Sequence, residues 1–136
     1  MNAKFWISAL VIFVIAFGLS FLVHGVLLFN DYMQLQSWMR PQSEAHSLML
    51  YMIVAQAVFS IAFVWVYLQG RSDRPWLAQG LRYGIAVAAL TVIPTYLIYH
   101  VVTPVPLGVA LKQIVLDTIR VLLMGIAVAW INRAPA

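Results

Sequence analysis

The chain contains no cysteine, and only four of its 136 residues are acidic. The first absence removes disulfides, thiolate metal sites and thiol redox chemistry, and it leaves the compartment unreadable from cysteine usage. The second all but excludes catalysis by paired carboxylates. Charge of either sign is scarce, at 9% of residues against about 25% in ordinary soluble domains. No Gly-x-Ser-x-Gly elbow is present and no Gly-rich loop precedes a lysine, so serine-hydrolase, phosphate-loop and dinucleotide signatures are absent. The three histidines, His24, His46 and His100, have no metal-ligand spacing. Neither a metal nor a cofactor is expected. The formal charge of +4 is scattered along the chain, which does not point to nucleic acid.

What remains is overwhelmingly apolar. Hydrophobic residues make up 64% of the chain and the mean hydropathy is +0.93. A bilayer core about 30 Å thick takes roughly 20 apolar residues per helix. Four such runs, at about 5–29, 46–69, 77–102 and 107–131, use most of the sequence. They predict an all-α fold, a single integral-membrane domain of four transmembrane helices. Lys4 followed by an apolar run imitates a secretory signal, but a signal core is only about 7–15 residues long. The run continues to Phe29, which predicts a retained first span.

The connections are short. After Asn30-Asp31, the residues Tyr32, Leu35, Trp38 and Met39 recur at helical spacing, as expected of a short helix in the membrane interface. Pro41 ends it, and Ser43 is placed to cap the second span. Arg71-Ser72-Asp73-Arg74-Pro75 forms a tight turn, and Thr103-Pro104-Val105-Pro106 a second one. Lys4, Arg71, Arg74, Arg82 and Arg133 fall on one side, against Arg40 and Lys112 on the other. By the positive-inside rule both termini and the Arg71–Arg74 turn are cytoplasmic.

Membrane helices associate through small residues and polar contacts. Gly80, Gly84 and Ala88 on the third span, Gly125 and Ala129 on the fourth, and Gly18 and Gly25 on the first are candidates for close contact, within one bundle or between copies. Pro94 frees the carbonyl of Leu90 and predicts a kink, with Thr91 and Thr95 near enough to serve the freed groups.

Charges inside a span are rare and costly. In the fourth span Lys112 sits at the outer mouth, where it can snorkel, while Asp117 and Arg120 lie deeper. Gln113, Asp117 and Arg120 are four and three residues apart and share a helix face. Counting depth on the other spans places His24, Tyr96 and Gln56 in the same layer, with Tyr99 and His100 just above it. Two readings follow. Either Asp117, Arg120, His24, Tyr96, Gln113 and Gln56 form a pocket for a small ligand, a lipid headgroup or a proton, or they form an ion-pair network that fixes helix register.

Several local motifs stand out. His24-Gly25-Val26-Leu27-Leu28 closes the first span with Tyr32 shortly after, and Met39-Arg40 precedes the second. Gly80-Leu81-Arg82-Tyr83-Gly84 opens the third, and Pro104-Val105-Pro106 precedes a fourth containing Gly125. In these the chain resembles, over nearly its whole length, small uncharacterised bacterial proteins of four spans. The resemblance implies a bacterial inner-membrane location and carries no activity. Three functions stay open. The first is a non-enzymatic accessory subunit or homo-oligomer, whose partners are membrane lipids, further copies or a larger membrane complex. The second is a minimal transporter or proton-coupled carrier using the polar layer, and the third an enzyme acting on a lipid or quinone.

Overall fold

The computed structural model describes residues 2–133, and every regular element among them is a helix. Helix α1 (Ala3–Ser20) is capped by Asn2, whose Oδ1 accepts the Phe5 N–H at 3.1 Å. It runs on without a break into a π-helical stretch, Phe21–Leu27. The connection from Leu28 to Leu48 carries α2 (Phe29–Met33) and a 3-10 turn (Gln36–Trp38), followed by α3 (Gln42–Ser47). Then come α4 (Met49–Gln69), α5 (Trp76–Val87), a second π-helical stretch (Ala88–Val92), α6 (Ile93–Val102) and α7 (Leu107–Ile131). Four continuous helices, Ala3–Leu27, Met49–Gln69, Trp76–Val102 and Leu107–Ile131, are long and apolar enough to cross a membrane.

Two sequence expectations about boundaries need correcting. Ser43 does not cap the second span; it lies inside α3, which starts directly after Pro41. Proline's fixed φ, here −54°, is already suited to a helix start. The chain then breaks at Leu48 (φ −100°, ψ 6°), so the long helix opens at Met49. The interfacial helix expected over Tyr32–Met39 is divided, because Leu35 (φ −106°, ψ 13°) leaves the helical region between α2 and the 3-10 turn.

Helix α7 is the hub. It packs along α5, and also against α1 and α6, while α4 packs chiefly on α1. The buried core joins Ile12 and Ala16 of α1, Phe63 and Val64 of α4, Ala88 and Val92 of the third span, and Val121, Met124 and Val128 of α7. Between α4 and α5 the Tyr83 hydroxyl donates to the carbonyl of Phe63 at 2.5 Å, and the two rings meet edge to face at 4.7 Å.

The α5–α7 contact is made by backbone. A Cβ added to Gly80 would stand 2.6 Å from the carbonyl oxygen of Gly125, and one on Gly84 would stand 2.9 Å from Cα of Leu122. Only glycine lets the two helices approach this closely. The expected small-residue face of the third span is thus a contact inside the bundle. The first span differs: Gly18 faces open space, and Gly25 meets only the ring of its own helix neighbour Phe21. Seven-residue spacing kept those glycines on one side of a helix but turned them to no partner.

Pro94 stands in the first turn of α6, immediately after the π-helical stretch that absorbs its missing N–H. Thr91 does not serve the freed Leu90 carbonyl; its hydroxyl donates to the carbonyl of Val87 at 2.7 Å.

Candidate functional site

Asp117 is the buried centre of the polar layer, 1% exposed. Gln113, Asp117 and Arg120 project from one face of α7, as their spacing predicts. Three side chains converge on the carboxylate. The Tyr96 hydroxyl of α6 donates to Oδ2. His24 brings Nε2 to 3.3 Å from the same oxygen, and Nε of Arg120 lies 3.0 Å from Oδ1. His24 belongs to the π-helical stretch Phe21–Leu27, and such widened turns occur often at functional sites.

The other ring nitrogen of His24 reaches the connection that follows the first long helix. Nδ1 lies 2.6 Å from the Tyr32 hydroxyl, which also accepts the Gln113 amide at 3.0 Å. Since Gln113 donates to that oxygen, the phenol's single hydrogen is available to Nδ1. A neutral imidazole then carries its proton on Nε2 and donates to Asp117. The tautomer is thus inferred from the partners. Burial pushes the Tyr32 phenol above its ordinary value; the charges of Asp117 and Asp31 push the same way, and the Gln113 hydrogen bond opposes them.

Beside this chain, Lys112 does not simply snorkel. Its Nζ pairs with Oδ1 of Asp31 at 2.7 Å, clipping the connection that carries α2 to the start of α7. A continuous set of contacts therefore links Tyr32, Gln113, His24, Asp117, Arg120 and Tyr96.

One part of the layer is incomplete. Asp117 Oδ1 and Arg120 Nε are close, but the N–H is not aimed at the oxygen, and both atoms are buried without a hydrogen-bond partner among the described residues. Thr118 Oγ1, next to them in sequence, is in the same condition. Buried polar atoms of this kind call for a water or small ligand, or for a rearrangement that aligns the pair.

Of the sequence-predicted residues, the structure brings together His24, Tyr96, Gln113, Asp117 and Arg120, and it leaves out Gln56. The carbonyl of Gln56 accepts the Ser60 hydroxyl at 2.7 Å, and its side chain joins no hydrogen bond of the network. Depth along a helix says nothing about rotation, and α4 reaches α7 only slightly. His100 stands outside as well, its Nδ1 bound to the carbonyl of Val105 at 2.7 Å across the Thr103–Pro106 turn.

Tyr32 is the member that sequence reasoning missed. Its position just after Asn30-Asp31 marked it as an interfacial aromatic, and the eight-residue separation from His24 was the one available signal. No group of three or more potential metal ligands occurs among the described residues.

No family model, no curated protein and no solved structure matches this chain.

Proposed function

We propose that the chain is a non-enzymatic integral protein of a bacterial inner membrane, with four spans and both termini cytoplasmic. It meets its partners within the bilayer, as an accessory subunit or as a homo-oligomer, and its polar layer is a proton-responsive clasp. One observation carries the reading of the clasp: His24 is held by Asp117 of the fourth span at one nitrogen and by Tyr32 of the outer connection at the other. Histidine is the side chain whose ordinary titration falls near neutral pH. With Asp117 ionised, Arg120 charged and His24 neutral, the layer carries no net charge and Tyr32 has both a donor and an acceptor role. A proton on His24 turns both ring nitrogens into donors, displaces the phenol hydrogen and adds a positive charge beside Arg120. The outer connection is the element that responds.

The test is a nitroxide label at Gln36 on the outer connection, with mobility followed from pH 8 to pH 5 in lipid nanodiscs. The parent should loosen with a single transition, and His24→Gln, which hydrogen-bonds without titrating, should remove it. Mobility that does not change with pH in the parent rejects the clasp. For the association itself, the protein extracted in mild detergent should bring down further copies or a defined membrane partner. Recovery only as a partner-free monomer would count against it.

A proton-coupled carrier is the second reading, and it is favoured by Asp117, an ionisable group 1% exposed with the His24 imidazole 3.3 Å from its carboxylate. Proton flux across proteoliposomes that is lost in Asp117→Asn would support a carrier. Flux equal to that of empty vesicles would remove it.

A further inference from the structure

At the end of the bundle opposite the polar layer, cationic side chains from three places in the chain face one cleft. Lys4 lies in the first turn of α1, Arg71 and Arg74 lie in the turn before α5, and Arg133 follows α7; all four line an open cavity of about 1090 Å³. Among the described residues Asp73 is the only carboxylate lining it. The ion pairs formed among the described residues involve Asp31, Glu44 and Asp117, and none uses any of these four cations.

A positive-inside bias accounts for the sign of this charge but not for the construction of the walls. The Gln79 side chain fixes the turn: its amide donates to the carbonyls of Ser72 and Arg74 at 2.6 and 2.5 Å, and its oxygen accepts the Ser72 N–H at 3.1 Å. On the other side, buried Asn132 donates to the Ser8 hydroxyl at 3.2 Å and to the Val128 carbonyl at 2.9 Å. That tie holds the end of α7 against the start of α1, which places Arg133 and Lys4 on one wall. The Arg133 guanidinium lies 5.1 Å from the centre of the Trp130 ring, and Trp76 also lines the cleft.

We propose that this cleft binds the phosphate-bearing headgroup of an anionic phospholipid in the adjoining leaflet. Guanidinium groups match phosphate oxygens in charge and in fork geometry. The cleft lies at the ends of four membrane-length apolar helices and is flanked by tryptophans, the level at which headgroups sit. Basic pockets between helix ends on the cytoplasmic side are suited to headgroups. Pockets that take whole small ligands run to roughly 300–1,000 Å³, so this cleft has room for more than a lone phosphate. The site rests on the helices crossing a bilayer, and is independent of any role for His24 and Asp117.

The experiment uses the full chain in a neutral detergent, offered equal amounts of phosphatidylglycerol and phosphatidylcholine and read by native mass spectrometry. Phosphatidylglycerol should be retained preferentially. Retention should fall about fivefold for each cation removed, in Arg71→Gln with Arg74→Gln and in Lys4→Gln with Arg133→Gln. Arg71→Lys with Arg74→Lys, which keeps the charge and loses the fork, should lose less binding than the glutamine pair. Gln79→Ala, which changes no charge, should weaken it, and Arg40→Gln at the other end should leave it unchanged. Where a double variant does not fold, the single substitutions are read in its place. Equal retention of the two lipids overturns the proposal, as does undiminished phosphatidylglycerol binding in the folded variants. Displacement of the lipid by an equal concentration of glycerol phosphate overturns the lipid assignment in favour of a soluble phosphate.

Discussion

Gln113 and Tyr32 stand 81 positions apart, yet the Gln113 amide donates to the Tyr32 phenol oxygen at 3.0 Å. The connection that carries α2 is thereby pinned to α7 at the point where Tyr32 also holds His24.

Removing that pin has a readable cost. Tyr32→Phe keeps the ring but leaves the Gln113 amide and His24 Nδ1 without their partner, which should destabilise the fold by about 1–3 kcal/mol in detergent unfolding. The phenol's proton is bound more tightly in the folded chain, above the ordinary value of 10.0. Its contribution is therefore complete below pH 10 and is lost as pH rises through the higher folded value. On the alkaline side the parent should lose stability more steeply than Tyr32→Phe. Parallel curves would mean that the phenol makes no such contribution.

The Asp117–Arg120 pair should behave as a coupled unit. Asp117→Asn or Arg120→Gln alone leaves an uncompensated buried charge and should cost about 3–5 kcal/mol, whereas the double substitution should cost less than the sum of the two. The cycle is measured by folded yield and thermal unfolding. Strict additivity would place the pair in contact with solvent.

The glycines divide into two classes. Gly125→Ala sets a methyl against the Gly80 carbonyl, and Gly84→Leu forces a large side chain onto α7 backbone. Each should cost at least about 1–3 kcal/mol and lower the unfolding temperature. Gly18→Ala enters open space within a helix and should be neutral or stabilising by about 0.5–1 kcal/mol. The same response at all three positions would contradict the α5–α7 seam.

Topology is tested most directly. Cysteines placed at Ser43 and Ser72 should react with an impermeant reagent from opposite sides of sealed vesicles, with Ser72 on the cytoplasmic side. Reaction of both from the same side rejects the four-span arrangement.

Much of this architecture was legible because it rests on quantities that a sequence displays. Apolar run length marked the four long helices, and three- and four-residue spacing placed Gln113, Asp117 and Arg120 on one face. Gly80 and Gly84 were legible as a close contact for the same reason. Rotation about the helix axis was not legible, so Gln56 was matched to the layer by depth alone and Gly18 by periodicity alone. The π-helical stretches were hidden too. Widening a turn changes which way His24 points while leaving an unbroken apolar run, with nothing in composition to mark it. Tyr32 was missed because Asn30-Asp31 reads as an exit to water, whereas Asp31 is occupied by Lys112 and the chain folds back over the bundle.

The position of α7 in the chain has a consequence for biogenesis. The first span, carrying His24, and the third, carrying Tyr96, are both synthesised before the segment that contains Asp117 and Arg120. On the membrane reading, Asp117 reaches the insertion machinery when the two groups that donate to it, His24 and Tyr96, are already in place. The seam of Gly80, Gly84 and Gly125 then fixes the rotation at which α7 docks, because other rotations bring side chains against backbone. A slow translocon exit for the fourth span would leave α1, α4 and α5 assembled without their hub. Variants in the α5–α7 seam should therefore lower the yield of folded chain recovered from the membrane.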